Sequence, residues 1–339
     1  MVLELQEGKL NLLIGGNFGS EGKGLFANYL GANNHIDIAI SNCGPNAGHT
    51  FYWDRTTHRS TVKLITKHLP ISGVINKRTT VYLCAGSIVN PKILLKEIKD
   101  TGLHKDQLSI HPRAAVIEDE DIYQETLNKG VKTIASTMSG VGSALVRKIN
   151  RCANLAVDNA MLKPFIAELD IQNYFDIGCT GLMEIPQGMD LSLNYGLAYP
   201  YCTSRDITPA AALNDAGVHP KYLGKIIVCL RTYPIRVGNV IENGVEVGNS
   251  GPFYPDSTET TWEEIGLEKE YTTRTNRIRR VATFSFSQYK KMLHVMKPDY
   301  VFLNFCNYVK PTALNKLLKQ LPEVTHLGFG PTIEDIREI

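Results

Sequence analysis

The stretch from Leu10 to Gly24, LNLLIGGNFGSEGKG, leaves this chain few ways to fold. An apolar run of strand length ends in glycines, and Lys23 stands at the far end of the glycine loop. Such a pattern reads as a buried strand, a turn, and then a helix. Glycines let backbone N–H groups approach an anion, and the N-terminus of the following helix adds a favourable dipole. A phosphate cradle is the chemistry this suggests, with an ordinary glycine-rich turn as the alternative. The spacing departs from the GxxxxGK[ST] loop at its last position, where Gly24 replaces Ser or Thr.

Further apolar runs bounded by turn residues recur along the chain: DIAISNCG, TTVYLCAG, KIIVCLRTYPI, DYVFLNFCN and VTHLGFG. They read as buried strands, and residues 91–100 and 312–319 read as helices between them. This alternation predicts an α/β fold on a mostly parallel central sheet, as a single domain over residues 1–339. Ligands in such folds sit at the carboxyl ends of the strands. Residues 43–60 and 232–262 are rich in Gly, Pro, Asn and Thr with little periodicity, so both are expected to be long loops, either functional or disordered.

The net charge is +2, with no long basic run, which argues against a nucleic-acid face. The densest basic cluster, Arg274, Arg277, Arg279 and Arg280, suits small anions; a solvated helix face is its plainer reading. The seven cysteines lack CxxC pairs and zinc spacing, as expected for reduced thiols in a cytoplasmic enzyme. No run approaches the ~20 apolar residues of a membrane span. The opening segment has no basic region ahead of its apolar run, so no signal peptide is expected.

Several blocks then carry a specific resemblance. GNFGSEGKG (Gly16–Gly24) resembles the GxxGDEGKGK loop of adenylosuccinate synthetases, and Gly44–Thr50, GPNAGHT, is similar to their GxNAGHT. Ser136-Thr137 followed by GVG (140–142) and Arg151, the run EIPQGMDLSLNYGLAYPYCTS (184–204), TNRIRR (275–280) and GFGP (328–331) resemble later family motifs, in family order. The resemblance implies the adenylosuccinate synthetase fold and its two-step reaction. The purine 6-oxygen attacks the γ-phosphate of a nucleoside triphosphate, and the amine of L-aspartate then displaces phosphate.

By matching positions, Ser20, Lys23, His49 and Gln187 would be catalytic. Ser20, Glu21, Asn46, Ala47, Ser136, Thr137, Arg151, Gln187, Thr203 and Arg277 would hold the acceptor nucleotide. Gly19, Glu21, Gly22, Lys23, Gly24, Gly48, His49, Thr50, Arg279, Asn307 and Gly330 would hold the donor triphosphate. Thr273, Thr275, Arg277 and Arg279 would bind aspartate, the guanidinium forks clamping carboxylates. Ser20 and the Gly48 carbonyl would meet Mg²⁺, and the family places the arginine matching Arg151 across a homodimer interface. Phosphoryl transfer of this kind depends on positioned charge more than on covalent help.

Two departures matter. Ser20 stands where the family has an aspartate that takes the N1 proton of IMP. A serine hydroxyl is no base at neutral pH, but it is shorter, uncharged and able to accept from a 2-amino group. A site that hydrogen-bonds an added amine can discriminate against the analogue lacking it. The expected acceptor is therefore dGMP, as in a phage-encoded branch of the family that leads to 2-aminoadenine DNA. An ordinary enzyme using IMP and GTP, or an inactive homologue, are the alternatives. Asn307 stands where the family has an aspartate that reads guanine of GTP, which favours ATP or dATP as donor. The base that removes the N1 proton, and the basis of any preference for deoxyribose, stay open.

Overall fold

The computed structural model describes residues 3–55, 60–272 and 275–339. Its central sheet is built, among the described residues, from β1 (Leu10–Gly15), β2 (Ile38–Ser41), β3 (Thr80–Leu83), β4 (Leu108–Ile110), β5 (Gly181–Glu184), β6 (Leu223–Arg231), β7 (Tyr300–Asn304), β8 (Val324–Gly328) and β9 (Ile336–Glu338). Their order is β9-β8-β7-β6-β1-β5-β2-β3-β4. Every pairing is parallel except that of β8 with β9. All six apolar runs identified in the sequence are strands of this sheet.

The strands are apolar throughout because both faces of the sheet are covered. Leu10, Leu12 and Ile14 point into one core with Met183, Val228 and Leu303. Leu13 points the other way, with Leu182, Ile227 and Phe302. This side-to-side alternation gives each layer its own apolar set.

The register brings the functional loops to one edge. Gly15 pairs with Cys229, Leu13 and Ser41 both pair with Glu184, and Arg231 pairs with Asn304. The carboxyl ends of β1, β2, β5, β6 and β7 therefore open on the same side, where the loops after them meet. Helix α1 (Lys23–Asn33) begins directly after the glycine loop. Helix α2 (Asp119–Leu127) packs on α3 (Val141–Ile149), which ends just before Arg151.

The two long loops are more ordered than expected. Within residues 43–60, His49–Arg55 forms a strand that pairs antiparallel with Ser60–Thr66. Its run Thr50-Phe51-Tyr52-Trp53 is β-branched and aromatic, the composition that favours pleated backbone over loop. Within residues 232–262, Val240–Glu242 and Val245–Gly248 form a hairpin across Asn243-Gly244, both with positive φ, which matches hairpin-turn chemistry. Residues 91–100 prove to be the helix Pro91–Thr101, capped by the Asn90 side chain, and 312–319 the helix Pro311–Leu318. None of the cysteines is in a disulfide, and Cys43, Cys84, Cys229 and Cys306 are buried.

Candidate active site

Two adjoining cavities open where the loops converge, of about 270 Å³ and 530 Å³. Asn46, Thr137, Gln187 and Arg236 line both, so they mark the junction.

The smaller cavity is walled by the glycine loop. Gly22 caps α1 with φ 78°, and a Cβ there would lie 2.1 Å from Asn304 Nδ2, so only glycine fits. Gly24 departs from the Walker pattern for a packing reason: a Cβ would lie 2.1 Å from the Thr50 carbonyl. The first turn of α1 itself carries no acidic side chain; the carboxylate nearest its start is that of Glu21, in the loop before it. Glu21, fully buried, accepts from the N–H groups of Asn17 (3.1 Å) and Gly19 (2.7 Å) and from Lys23 Nζ (2.8 Å). Lys23 also donates to the Gln187 carbonyl at 2.6 Å. An ammonium has three donors, so this pair sets the direction in which Lys23 can meet a phosphate.

His49 is half-buried on the same wall, at the start of its strand. Burial, and then the charge of Lys23, push its pKa down to about 3. At neutral pH the ring is uncharged and offers an N–H donor. An anion beside it would raise its proton affinity.

Ser20 sits in the left-handed region with φ 62° and is exposed to the cleft. Arg279 Nη1 donates to its hydroxyl at 2.9 Å, and Arg231 Nη1 donates to its carbonyl at 3.1 Å. Burial lowers the pKa of Arg279 to about 10, and the guanidinium stays charged. Thr275 bonds Thr272 through their hydroxyls at 2.6 Å, and both line the smaller cavity beside Arg279.

Most of the residues expected at the site therefore meet there. Gly19 through Gly24, Asn46, Ala47, Gly48, His49, Thr50, Thr137, Gln187, Thr275 and Arg279 line the smaller cavity, and Ser136 and Thr203 line the larger. Five expectations fall elsewhere. Arg277 lines neither cavity, because its guanidinium is taken by the carbonyls of Gly238 (3.1 Å), Ser136 (3.1 Å) and Ala135 (3.4 Å). It thus ties the loops that line the larger cavity. Asn307 is exposed in the turn Cys306–Tyr308 and lines neither cavity; Phe305, turned by a left-handed backbone, lines the smaller one instead. Gly330 packs on the Asp335 carboxylate, 2.3 Å from where its Cβ would be, in the β8–β9 connection. Arg151 is exposed beyond α3, outside both cavities. Thr273, like Arg274, lies outside the described residues.

Several residues were not anticipated. Arg231 is fully buried, paired with Glu270 at 2.6 Å, and Glu270 lines the smaller cavity. Arg236 lies over the Phe18 ring at 4.3 Å and donates to the Tyr201 and Pro252 carbonyls. The available signal was positional: Arg231 follows the apolar run IIVCL at a strand's carboxyl end, where a charge has no structural excuse. Lys67 and Phe18, which also line the smaller cavity, carried no such signal.

The donor set fits Mg²⁺ only in part. Mg²⁺ takes oxygen ligands and relies on substrate phosphates and water for most of them. Gly48 is exposed on the cavity wall, so its carbonyl oxygen suits the ion. The Ser20 hydroxyl does not, because a guanidinium already lies on it. No cluster of three His, Cys, Asp or Glu side chains able to hold a metal occurs among the described residues.

Residues 12–173 and 154–311 match the family model of adenylosuccinate synthetase. The chain belongs to the adenylosuccinate synthetase family. As a member it is a ligase that forms a carbon–nitrogen bond. It is 38% identical to the N6-succino-2-amino-2'-deoxyadenylate synthase of Vibrio phage phiVC8, over 96% of this chain and 97% of the relative. It is 32% identical to the adenylosuccinate synthetase of Archaeoglobus fulgidus, over 97% of each. Among solved structures, the succinoaminodeoxyadenylate synthetase of cyanophage S-2L, bound to dGMP and dATP as an energy donor, matches with a TM-score of 0.85 and 34% identity, covering 97% of this chain and 95% of that one. Adenylosuccinate synthetase from Plasmodium falciparum matches with a TM-score of 0.79 at 18% identity, covering 98% and 100%, a likeness of fold. No helix among the described residues is long and apolar enough to cross a membrane.

Proposed function

We propose that this chain ligates L-aspartate to carbon 6 of dGMP at the expense of ATP or dATP, giving N6-succino-2-amino-2'-deoxyadenylate, the nucleoside diphosphate and phosphate. The observation that carries the reading is Ser20, a neutral hydroxyl on the cavity wall where a family aspartate would stand. A hydroxyl leaves room for the 2-amino group of guanine and can accept from it. Phage relatives named for the 2-amino product, two of them 38% and 35% identical to this chain, support the same reading.

The O6 of the acceptor attacks the γ-phosphate, and the nucleoside diphosphate leaves. The aspartate amine then attacks carbon 6 and expels phosphate. Lys23 and the N–H groups of Gly22 to Gly24 hold the transferring phosphate, and the His49 N–H faces the oxygen on which charge develops. Asn46, Thr137 and Gln187, at the junction, position the acceptor between the donor and the larger cavity. Arg279 clamps the incoming aspartate from a site adjoining Ser20. Mg²⁺, when bound, offsets phosphate charge, with the Gly48 carbonyl as its protein ligand. Arg277 orders the acceptor loop rather than touching substrate, and Arg151 serves the second subunit of a homodimer. The whole chain acts as one unit in the host cytoplasm, where the nucleotides are.

The test is an acceptor panel of dGMP, GMP, dIMP and IMP, each with aspartate, Mg²⁺ and ATP, dATP or GTP. Product mass is the readout. Turnover of dGMP is expected, and turnover of IMP alone would refute the reading.

A further inference from the structure

Ala135 stands in the segment between α2 and α3, at the neck where the two cavities join. It lines both of them and is itself buried. Its φ is 55°, in the left-handed region. Few residues other than glycine sit there, and alanine has no polar side chain with which to hold itself in place. The backbone is held from outside instead. The Ala135 N–H donates to the Lys132 carbonyl at 3.0 Å, and the Ala135 carbonyl accepts from Arg277 at 3.4 Å. Arg277 also fixes the next carbonyl, that of Ser136, at 3.1 Å. Strained residues that their surroundings over-determine cluster at ligand sites.

With both backbone polar groups taken, Ala135 has only its Cα–H and its methyl group to offer the neck. Glycine would adopt the same φ without strain and would lack that methyl. The two ends of the acceptor decide what crosses the neck. Ser20 and His49, assigned to the base, line only the smaller cavity. The acceptor residues Ser136 and Thr203 line only the larger one. The sugar therefore lies between them, beside Ala135 and the apolar side chains of Phe18, Leu191 and Val237, which also line both cavities.

We propose that Ala135 is the sugar gate of the acceptor site, its methyl group filling the space that a ribose 2'-hydroxyl would need. The inference rests on the dGMP reading above and adds the residue that selects the deoxyribose. GMP and dGMP differ by that oxygen alone. A filled apolar wall gives the extra hydroxyl neither room nor a partner.

The test is calorimetric titration of the wild-type enzyme, A135G and M138G with dGMP and with GMP, without donor or aspartate. Met138 is the control, because its φ is 48° in the same segment yet it lines neither cavity. The wild type should bind dGMP roughly 5- to 150-fold more tightly than GMP, the range for crowding a packed wall by one small group. A135G should bind the two nearly alike, by gaining affinity for GMP, and M138G should keep the wild-type ratio. The ratio cancels any general change in folding, since both nucleotides meet the same protein. A wild-type ratio near one, an unchanged ratio in A135G, or an equal fall in M138G would overturn the assignment. Because only acceptor binding is read, a failure to ligate dGMP would refute the proposed reaction and leave the sugar ratio standing.

Discussion

Ser20→Asp restores the side chain that the family carries and should impair the enzyme. The backbone does not oppose it, since φ 62° suits Asp better than Ser. The effect must therefore come from the site. Arg279 Nη1 lies 2.9 Å from the Ser20 hydroxyl. A carboxylate oxygen reaches roughly 1.2 Å beyond a hydroxyl on the same Cβ. Along that line the gap would fall to about 1.7 Å, whereas a charged N–H···O contact needs about 2.7 Å. Either Arg279 retreats by about 1 Å, or the carboxylate swings into the space proposed for the 2-amino group. Displacements of about 1 Å in a positioning group can cost about 100-fold. The expected outcome is a loss of about 100-fold in kcat/KM for dGMP. If Arg279 moves, the KM for aspartate rises as well. The assay is nucleoside diphosphate release at varied dGMP and aspartate, with product mass as a check. Unchanged or faster dGMP turnover would refute both the steric argument and the role given to Ser20.

Other outcomes follow from the same geometry. Glu270→Gln leaves the buried Arg231 without its counter-charge and should cost about 3 kcal/mol in urea unfolding; a change near zero would mean the pair is not what holds this wall. His49 stays neutral down to about pH 3 when folded, against an ordinary value of 6.5. The unfolded chain therefore binds the extra proton first, and stability should fall as pH drops from 6.5 towards 3. His49→Gln should flatten that part of a melting-temperature profile. Arg151→Ala and Lys23→Met should each be inactive alone, yet regain activity when mixed and allowed to exchange subunits. Continued inactivity in hybrids would place Arg151 in its own subunit's site.

Much of the fold was legible because parallel strands are buried on both faces and must be apolar along their length. Runs such as LNLLIGG and DYVFLNFCN had no other plausible place. The strands β4, β5 and β9 were harder to see: the first two are short, and the last is partly exposed at the sheet edge. The phosphate loop and the GPNAGHT block announced themselves because backbone approach to an anion demands glycine at fixed spacing. The surroundings of Arg277 were not legible in the sequence. Its position in the motif is correct, but three carbonyls from loops more than thirty residues away claim its guanidinium.

By itself, then, the sequence determined that strands would carry a glycine cradle, that Lys23 and His49 would stand beside it, and that a hydroxyl would replace a carboxylate at residue 20. Which side chains face one another was decided only in three dimensions. Arg279 meets Ser20 across 259 positions, and Arg231 lies over Phe305 across a parallel strand pair. Spacing along a chain sets local backbone geometry. The meeting of a guanidinium with a hydroxyl or a ring depends on the register of strands far apart in sequence, and that register emerges only when the whole sheet is assembled.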